Sequence, residues 1–300
     1  MIQQPNIPIK SRIAPTPSGF LHLGNAVNFL LIYLLVDLNK GNLLLRIDDI
    51  DMERVREDYV SDIFDQLKWL GISWNCGPQH IKEFPDYSQH KRLQQYSRAL
   101  ETLWQAGQLF VCNCSRKQLQ HSDAHSCPHH ITNYNKTDGL RLKSPYPIQS
   151  WYDYYLEEVI NLHKSDQLFE PIIWRKHVAL PSYQLACVVD DIEDDINLII
   201  RGYDLLRATE CQFFLAEKLE YSEYKYIKFL HHHLITDEYG NKLSKSAGST
   251  SLKQYRLNNS ISDFYRYFAR WAKLPNAAEI NDLSELKHVF QLHYSDFRFT

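Results

Sequence analysis

With 300 residues, 44% apolar and 23% charged, the chain has the composition of a soluble globular protein, long enough for one large domain or two ordinary ones. A formal net charge of -3 excludes a globally basic nucleic-acid binder and leaves room only for a local basic surface. No apolar run approaches the roughly 20 residues of a membrane span, and the opening MIQQPNIPIKSR has no signal-peptide pattern, so no membrane partner is expected and the cytoplasm is the expected location.

Taken in chain order, Arg12 to Pro15 reads as the end of a short buried strand, stopped by Pro15 and Pro17 and turned by Ser18-Gly19. A helix is predicted from about Asn25 to Asn39, ended by Gly41, and its run Val27 to Val36 is apolar enough to be buried. Leu43 to Ile47 reads as a short apolar strand that ends in the acids Asp48, Asp49 and Asp51. Val60, Phe64, Leu67 and Leu70, at three- and four-residue steps, predict an amphipathic helix closed by Gly71. This strand–helix–strand–helix order implies an α/β fold, a parallel sheet with helices on both faces. Residues 106–180 break the rhythm with a cysteine and histidine cluster and the Pro- and Tyr-rich KSPYPIQSWYDYY, and read as an inserted subdomain. The α/β pattern then returns. Ala186 to Val189 and Leu198 to Ile200 are apolar runs of strand length, and helical sequence starts near Asp204. After NKLSKSAGSTS the chain reads as short, aromatic helices. The expected division is 1–105 and 181–240 as two halves of one α/β domain, 106–180 as the insert, and 241–300 as a Lys/Ser loop with a helical C-terminal region.

Two stretches carry possible chemistry. In PTPSGFLHLGN, prolines stiffen a loop, Gly19 permits a positive φ, and His22 and Gly24 stand where a helix begins. Backbone N–H groups and the helix dipole favour an anion there, and His22 can donate to a phosphate oxygen. By itself the segment reads first as a turn before a core helix. In NKLSKSAGS, Asn241 to Ser249, two lysines flank a small hydroxyl-rich loop that can meet a polyphosphate, or simply be solvated.

Together the stretches resemble the class I aminoacyl-tRNA synthetases. HLGN (His22 to Asn25) matches their HIGH motif and KLSKS (Lys242 to Ser246) their KMSKS motif. The glutamyl branch is specified further. RIAPTPSGFLHLG is similar to its RFAPSPTGxLHxG, LLLRIDDIDMER to its LRIEDTDxxR, and YQLACVVDDIEDDINLIIRGYDLL to its YxxAxVVDDxxxxITxVIRGxDLL. The matches fall in order over about 230 residues. Only about 50 residues follow KLSKS, with no room for the module that reads an anticodon in a discriminating glutamyl-tRNA synthetase. The chain therefore resembles the truncated glutamyl-Q tRNA(Asp) synthetase family. That resemblance implies a Rossmann-like catalytic domain. It also implies ATP-dependent, tRNA-independent activation of L-glutamate, Mg2+ with the ATP, and transfer to queuosine in the anticodon loop of tRNA(Asp) by a monomer. The competing readings are a glutamyl-tRNA synthetase-like enzyme that charges a tRNA 3′ end, and a degenerate paralogue that binds without chemistry.

The resemblance also assigns residues. Arg12, Ala14, Thr16, Asp48, Tyr183 and Arg201 fall at glutamate-binding positions, with guanidinium groups suited to carboxylates. His22, Gly24, Asn25, Lys242, Ser244 and Lys245 fall at ATP positions, with His22 and Lys245 as the catalytic pair. Asn25 departs from HIGH, and Asp48 is one methylene shorter than the family's glutamate. Without the resemblance, Tyr183 is core packing and Arg201 a loop charge. Cys112, Cys114 and Cys127 lie among four of the 14 histidines and suggest one structural Zn2+. Its fourth ligand is open between His125, the first choice, and His121 or Asp123. The other reading is a loop with unligated thiols and solvated histidines.

Overall fold

The computed structural model describes residues 7–114, 133–135, 137–143, 150–160, 170–235 and 251–295. Two compact units emerge. One comprises 1–89, 197–203 and 230–300, the other 90–196 and 204–229.

In the first unit, strand β1 (Lys10–Ile13), helix α1 (Leu23–Leu38) and strand β2 (Asn42–Leu45) make a parallel β–α–β unit, with Arg12 opposite Leu44 and Ile13 opposite Leu45. Beyond β2, Leu44 pairs in parallel with Cys76. α1 is apolar almost all round, and every residue from Phe29 to Val36 is buried, which makes it a core helix. Its end is a Schellman turn. Lys40 N–H bonds to the Asp37 carbonyl and Gly41 N–H to that of Val36. The left-handed residue is Lys40 (φ 51), not Gly41. Glycine is needed at 41 for another reason: a Cβ there would stand 2.6 Å from the Ile9 carbonyl oxygen. Helix α2 (Glu57–Trp69) follows and closes at Gly71 as the spacing predicts.

The second unit contains helix α3 (Leu93–Gln105) and an antiparallel sheet. The sheet's order is β3 (Leu109–Val111), β4 (Leu140–Leu142), β7 (Ile172–Arg175), β8 (Leu180–Pro181). Between β4 and β7 in sequence lies the hairpin β5 (Trp151–Asp153) and β6 (Glu158–Ile160). Helix α4 (Tyr183–Glu193) includes the run Ala186 to Val189. That run is therefore helical rather than a strand. Residues 185–191 are all buried, so its apolar pattern has no exposed face to reveal the helical period. α4 is tied to the start of α3 by a buried network. Asp190, fully buried, accepts from Arg92 Nη1 (3.1 Å) and the Tyr96 hydroxyl (2.7 Å), and Asp194 accepts from Arg92 Nη2 at 2.6 Å. Burial pulls the Arg92 guanidinium down, but the Asp194 and Asp190 carboxylates outweigh it and hold it above its ordinary value.

Strand β9 (Leu198–Gly202) returns to the first unit beside β1, where Asn197 N–H bonds to the Lys10 carbonyl. Helix α5 (Leu206–Lys218) belongs to the second unit. Strand β10 (Lys228–His232) neighbours β9. The predicted C-terminal helices are present in the first unit as α6 (Leu252–Asn258), α7 (Ile261–Trp271) and α8 (Leu283–His293). No described helix is long and apolar enough to cross a membrane.

Candidate active site

The loop between β1 and α1 is the centre of the first unit's candidate site. His22 is the N-cap of α1 (φ -116, ψ 170) and builds a reciprocal capping box. Its Nδ1 accepts from Asn25 N–H at 3.3 Å, while Asn25 Oδ1 accepts from His22 N–H at 3.1 Å. This fixes the ring chemistry. A nitrogen that accepts carries no proton, so Nδ1 is bare and Nε2 carries the N–H. The neutral ring thus presents a donor from the helix end, beside the Leu23 and Gly24 N–H groups, which the capping box leaves aside. Asn25, an expected ATP position, holds His22 through its side-chain oxygen and main-chain N–H. The residue that departs from HIGH is the one that closes the cap.

The loop is held from several sides. Leu21 N–H donates to Asp62 Oδ2 on α2 at 3.0 Å, and the Leu21 carbonyl accepts from Leu252 N–H at the start of α6 at 2.7 Å. His22 also forms an antiparallel bridge with Ser251. Thr16 is exposed and its carbonyl accepts from Ser18 N–H at 2.9 Å, while Ala14 is half-buried.

Charged groups line the ends of the parallel strands. Arg12 on β1 is 5% exposed and Arg201 on β9 is 3% exposed. Arg201 Nε donates to Nε2 of the buried His231 at 3.3 Å, which fixes Nε2 of that ring as an acceptor. His232 Nε2 lies 3.0 Å from Asn28 Oδ1 on α1. His231 and His232, at the end of β10, are both buried. Just past β2, Arg46 Nε pairs with Asp48 Oδ1 at 2.8 Å, both groups buried, and Asp48 N–H bonds to the Pro15 carbonyl. Asp48 therefore joins the strand end to the stiff loop. Asp49, one of the acids that follow β2, is 2% exposed. It accepts from the Ser88 hydroxyl (2.5 Å) and Gln89 N–H (2.8 Å), an anchoring role. Spacing alone gave no sign of Asp62 or His231 as partners, since each acts on a residue of another element, whereas Arg46 lies only two residues from Asp48 at the same strand end.

Tyr183 belongs to the second unit, at the first turn of α4, and is 42% exposed. It is not core packing. Lys242, Ser244, Lys245, His125 and Cys127 lie outside the described residues, as do His121 and Asp123. Cys112 is buried beside Phe110, with Cys114 packed on them, as alternate residues of an extended chain. Two thiols are half of a zinc site. Among the described residues no three His, Cys, Asp or Glu side chains stand together to hold a metal.

Residues 8–292 match the family described as tRNA synthetases class I (E and Q), catalytic domain. The chain belongs to this family. It is 31% identical over 278 residues to a glutamyl-Q tRNA(Asp) synthetase of Nitratidesulfovibrio vulgaris, covering 83% of the chain and 81% of that protein. It is 29% identical over 300 residues to a glutamate–tRNA ligase of Buchnera aphidicola, covering 95% of the chain but 61% of that protein. A crystal structure of glutamate-tRNA synthetase from Elizabethkingia anophelis superposes with a TM-score of 0.72 at 21% identity, over 94% of the chain and 65% of that structure. A methionyl-tRNA synthetase of Mycobacterium tuberculosis gives 0.54 at 8% identity, over 87% of the chain and 64% of that structure, a likeness of fold alone. The fold is thus the Rossmann-like α/β fold of a class I synthetase.

Proposed function

We propose that this synthetase domain activates L-glutamate with ATP in the absence of tRNA. It then transfers the glutamyl group to queuosine in the anticodon loop of tRNA(Asp), acting as a cytoplasmic monomer. The observation that carries the activation half is the His22 capping box, which leaves a neutral ring with an Nε2–H donor at the start of α1. The acceptor half is supported by the likeness to a glutamyl-Q tRNA(Asp) synthetase over most of both chains.

In the first step the glutamate α-carboxylate attacks the α-phosphorus of ATP. A P–O bond forms, the bond to the β-phosphate oxygen breaks, and pyrophosphate leaves. The carboxylate is already ionised at pH 7, so no base is needed and the residues act by placement and charge. His22 Nε2–H and the Leu23 and Gly24 N–H groups donate to phosphate oxygens. Lys242, Ser244 and Lys245 are assigned to the leaving pyrophosphate. Arg12 and Arg201 take the carboxylates, Thr16 and Tyr183 supply hydroxyls, and Ala14 lies against the substrate. Asp48, oriented by Arg46, takes the ammonium group. Mg2+ accompanies ATP and neutralises phosphate charge, with most ligands from phosphate and water. In the second step a diol hydroxyl of queuosine attacks the acyl carbon, AMP leaves, and the hydroxyl proton passes to AMP or solvent. Zinc carries no step.

A second reading, charging of a tRNA 3′ end, is favoured by the match of 95% of the chain to a glutamate–tRNA ligase. The test is ATP–pyrophosphate exchange without tRNA, using glutamate, glutamine and aspartate in turn. Labelled glutamate is then offered to tRNA(Asp) with and without queuosine, and to tRNA(Glu). The proposal expects exchange with glutamate and label on queuosine-bearing tRNA(Asp) alone. Exchange that requires tRNA(Glu), with label at its 3′ end, would replace it with the second reading.

A further inference from the structure

A buried polar chain runs from α6 through α2 to the peptide before His22, and the proposed chemistry does not use it. Arg256 on α6 lies over the Trp69 ring at 5.1 Å and donates through Nη1 to Gln66 Oε1 at 3.1 Å. Gln66 Nε2 donates to Asp62 Oδ1 at 2.8 Å, and Asp62 Oδ2 accepts from Leu21 N–H at 3.0 Å. Asp62 is 5% and Gln66 1% exposed. A buried carboxylate holds its donors firmly, because each lost hydrogen bond leaves charge unsolvated. The same α6 that carries Arg256 also donates Leu252 N–H to the Leu21 carbonyl. The peptide groups on both sides of Leu21 are therefore fixed by α2 and α6, and the residue they deliver is His22.

We infer that Asp62, Gln66 and Arg256 are positioning residues for His22: the chain sets where its Nε2–H stands, beyond any general contribution to stability. Three features favour this over a structural role. The carboxylate is spent on a main-chain N–H of the site loop rather than on a cation of its own helix. Gln66 sits four residues from Asp62, so both share one face of α2. Helix α6 reaches the loop by two independent routes, the Arg256 side chain and the Leu252 N–H. The inference rests on the reading of His22 as an ATP-binding residue.

The test compares Arg256→Met, Gln66→Met and Arg256→Lys with the wild-type chain in glutamate-dependent pyrophosphate exchange, alongside thermal unfolding. Arg256→Met keeps packing on Trp69 and removes the hydrogen bond. Displacement of a catalytic group by less than an ångström predicts a kcat lowered about tenfold or more, with the KM for glutamate within about twofold. Arg256→Lys should recover most of the loss. Variants whose Tm falls while kcat per folded molecule stays at the wild-type value would overturn the inference and leave a structural role. Absence of exchange in the wild type itself would instead defeat the proposed function. The chain is then judged on selectively 15N-labelled leucine and histidine. Movement of the Leu21 amide and His22 ring resonances in Arg256→Met supports it, and unmoved resonances overturn it.

Discussion

The proposed function gives His22 a second task beside its cap, and a single substitution can separate the two. Its Nδ1 closes the cap of α1, and its Nε2–H faces away from it. Asparagine is among the best N-cap residues, and its side-chain oxygen can accept from Asn25 N–H, but it carries no donor at the Nε2 position. His22→Asn should therefore leave Tm nearly unchanged while exchange falls about 100- to 1,000-fold, the ~2.7–4 kcal/mol that one donor to developing charge typically contributes. His22→Ala removes both. It should show the same kinetic loss plus about 1 kcal/mol of stability from the missing cap, a Tm lower by about 2–4 °C. The assays are glutamate-dependent pyrophosphate exchange and calorimetry on the same preparations. A His22→Asn protein whose kcat stays within about threefold of wild type would refute the donor role. Equal unfolding of His22→Ala and wild type would refute the energetic role of the cap.

In the second unit, Arg92→Met strips the buried Asp190 and Asp194 of their guanidinium and should cost about 3–5 kcal/mol, read by urea unfolding. The Tyr265 hydroxyl donates to the Leu70 carbonyl at 3.1 Å. Burial, with the Tyr33 and Asp282 charges, pushes this phenol from 10.0 up to about 12. Its folded value is raised, so the stability it contributes is full below pH 10 and is lost as pH rises toward 12. Spectrophotometric titration should show a late phenol in wild type that is missing from Tyr265→Phe. Asp48→Asn keeps an acceptor for Arg46 and removes the charge proposed to meet the substrate ammonium. The KM for glutamate should rise about tenfold or more with the KM for ATP unchanged, and an unaltered KM would assign the carboxylate to Arg46 alone.

The parallel β–α–β opening was legible because its signals are local: prolines that stop β1, the apolar run Val27 to Val36 in α1, and Gly71 at the left-handed end of α2. The run Ala186 to Val189 was misread because burial on every side erases periodicity. Gly41 ends α1 as expected, but Lys40 holds the left-handed position, and glycine at 41 answers the close approach of the Ile9 carbonyl, a contact no local signal shows. At the site, residue types were legible through motif order, whereas pairings were not. Arg201 with His231 and Leu21 with Asp62 each join separate elements, and no spacing rule announces such contacts.

The two departures from the family motifs share one physical character. Asn25 replaces a histidine at the third helical position, where a side chain that can accept from the cap N–H closes a capping box. Asp48 replaces a glutamate, and its carboxylate is gripped by Arg46 while its N–H is tied to the Pro15 carbonyl. In both places the substituted side chain bonds to the backbone or to a buried partner of the same loop. A shorter acid held by a buried guanidinium has few ways to swing, so whatever reach Asp48 loses is met by a carboxylate of defined direction. A stiff loop is what in-line attack of a carboxylate on phosphorus demands, because the reaction needs placement and no proton transfer. The prolines, the capping box, the Asp48 N–H bond to Pro15 and the Asp62 contact all act on residues 15–22, and each removes one way for that loop to move.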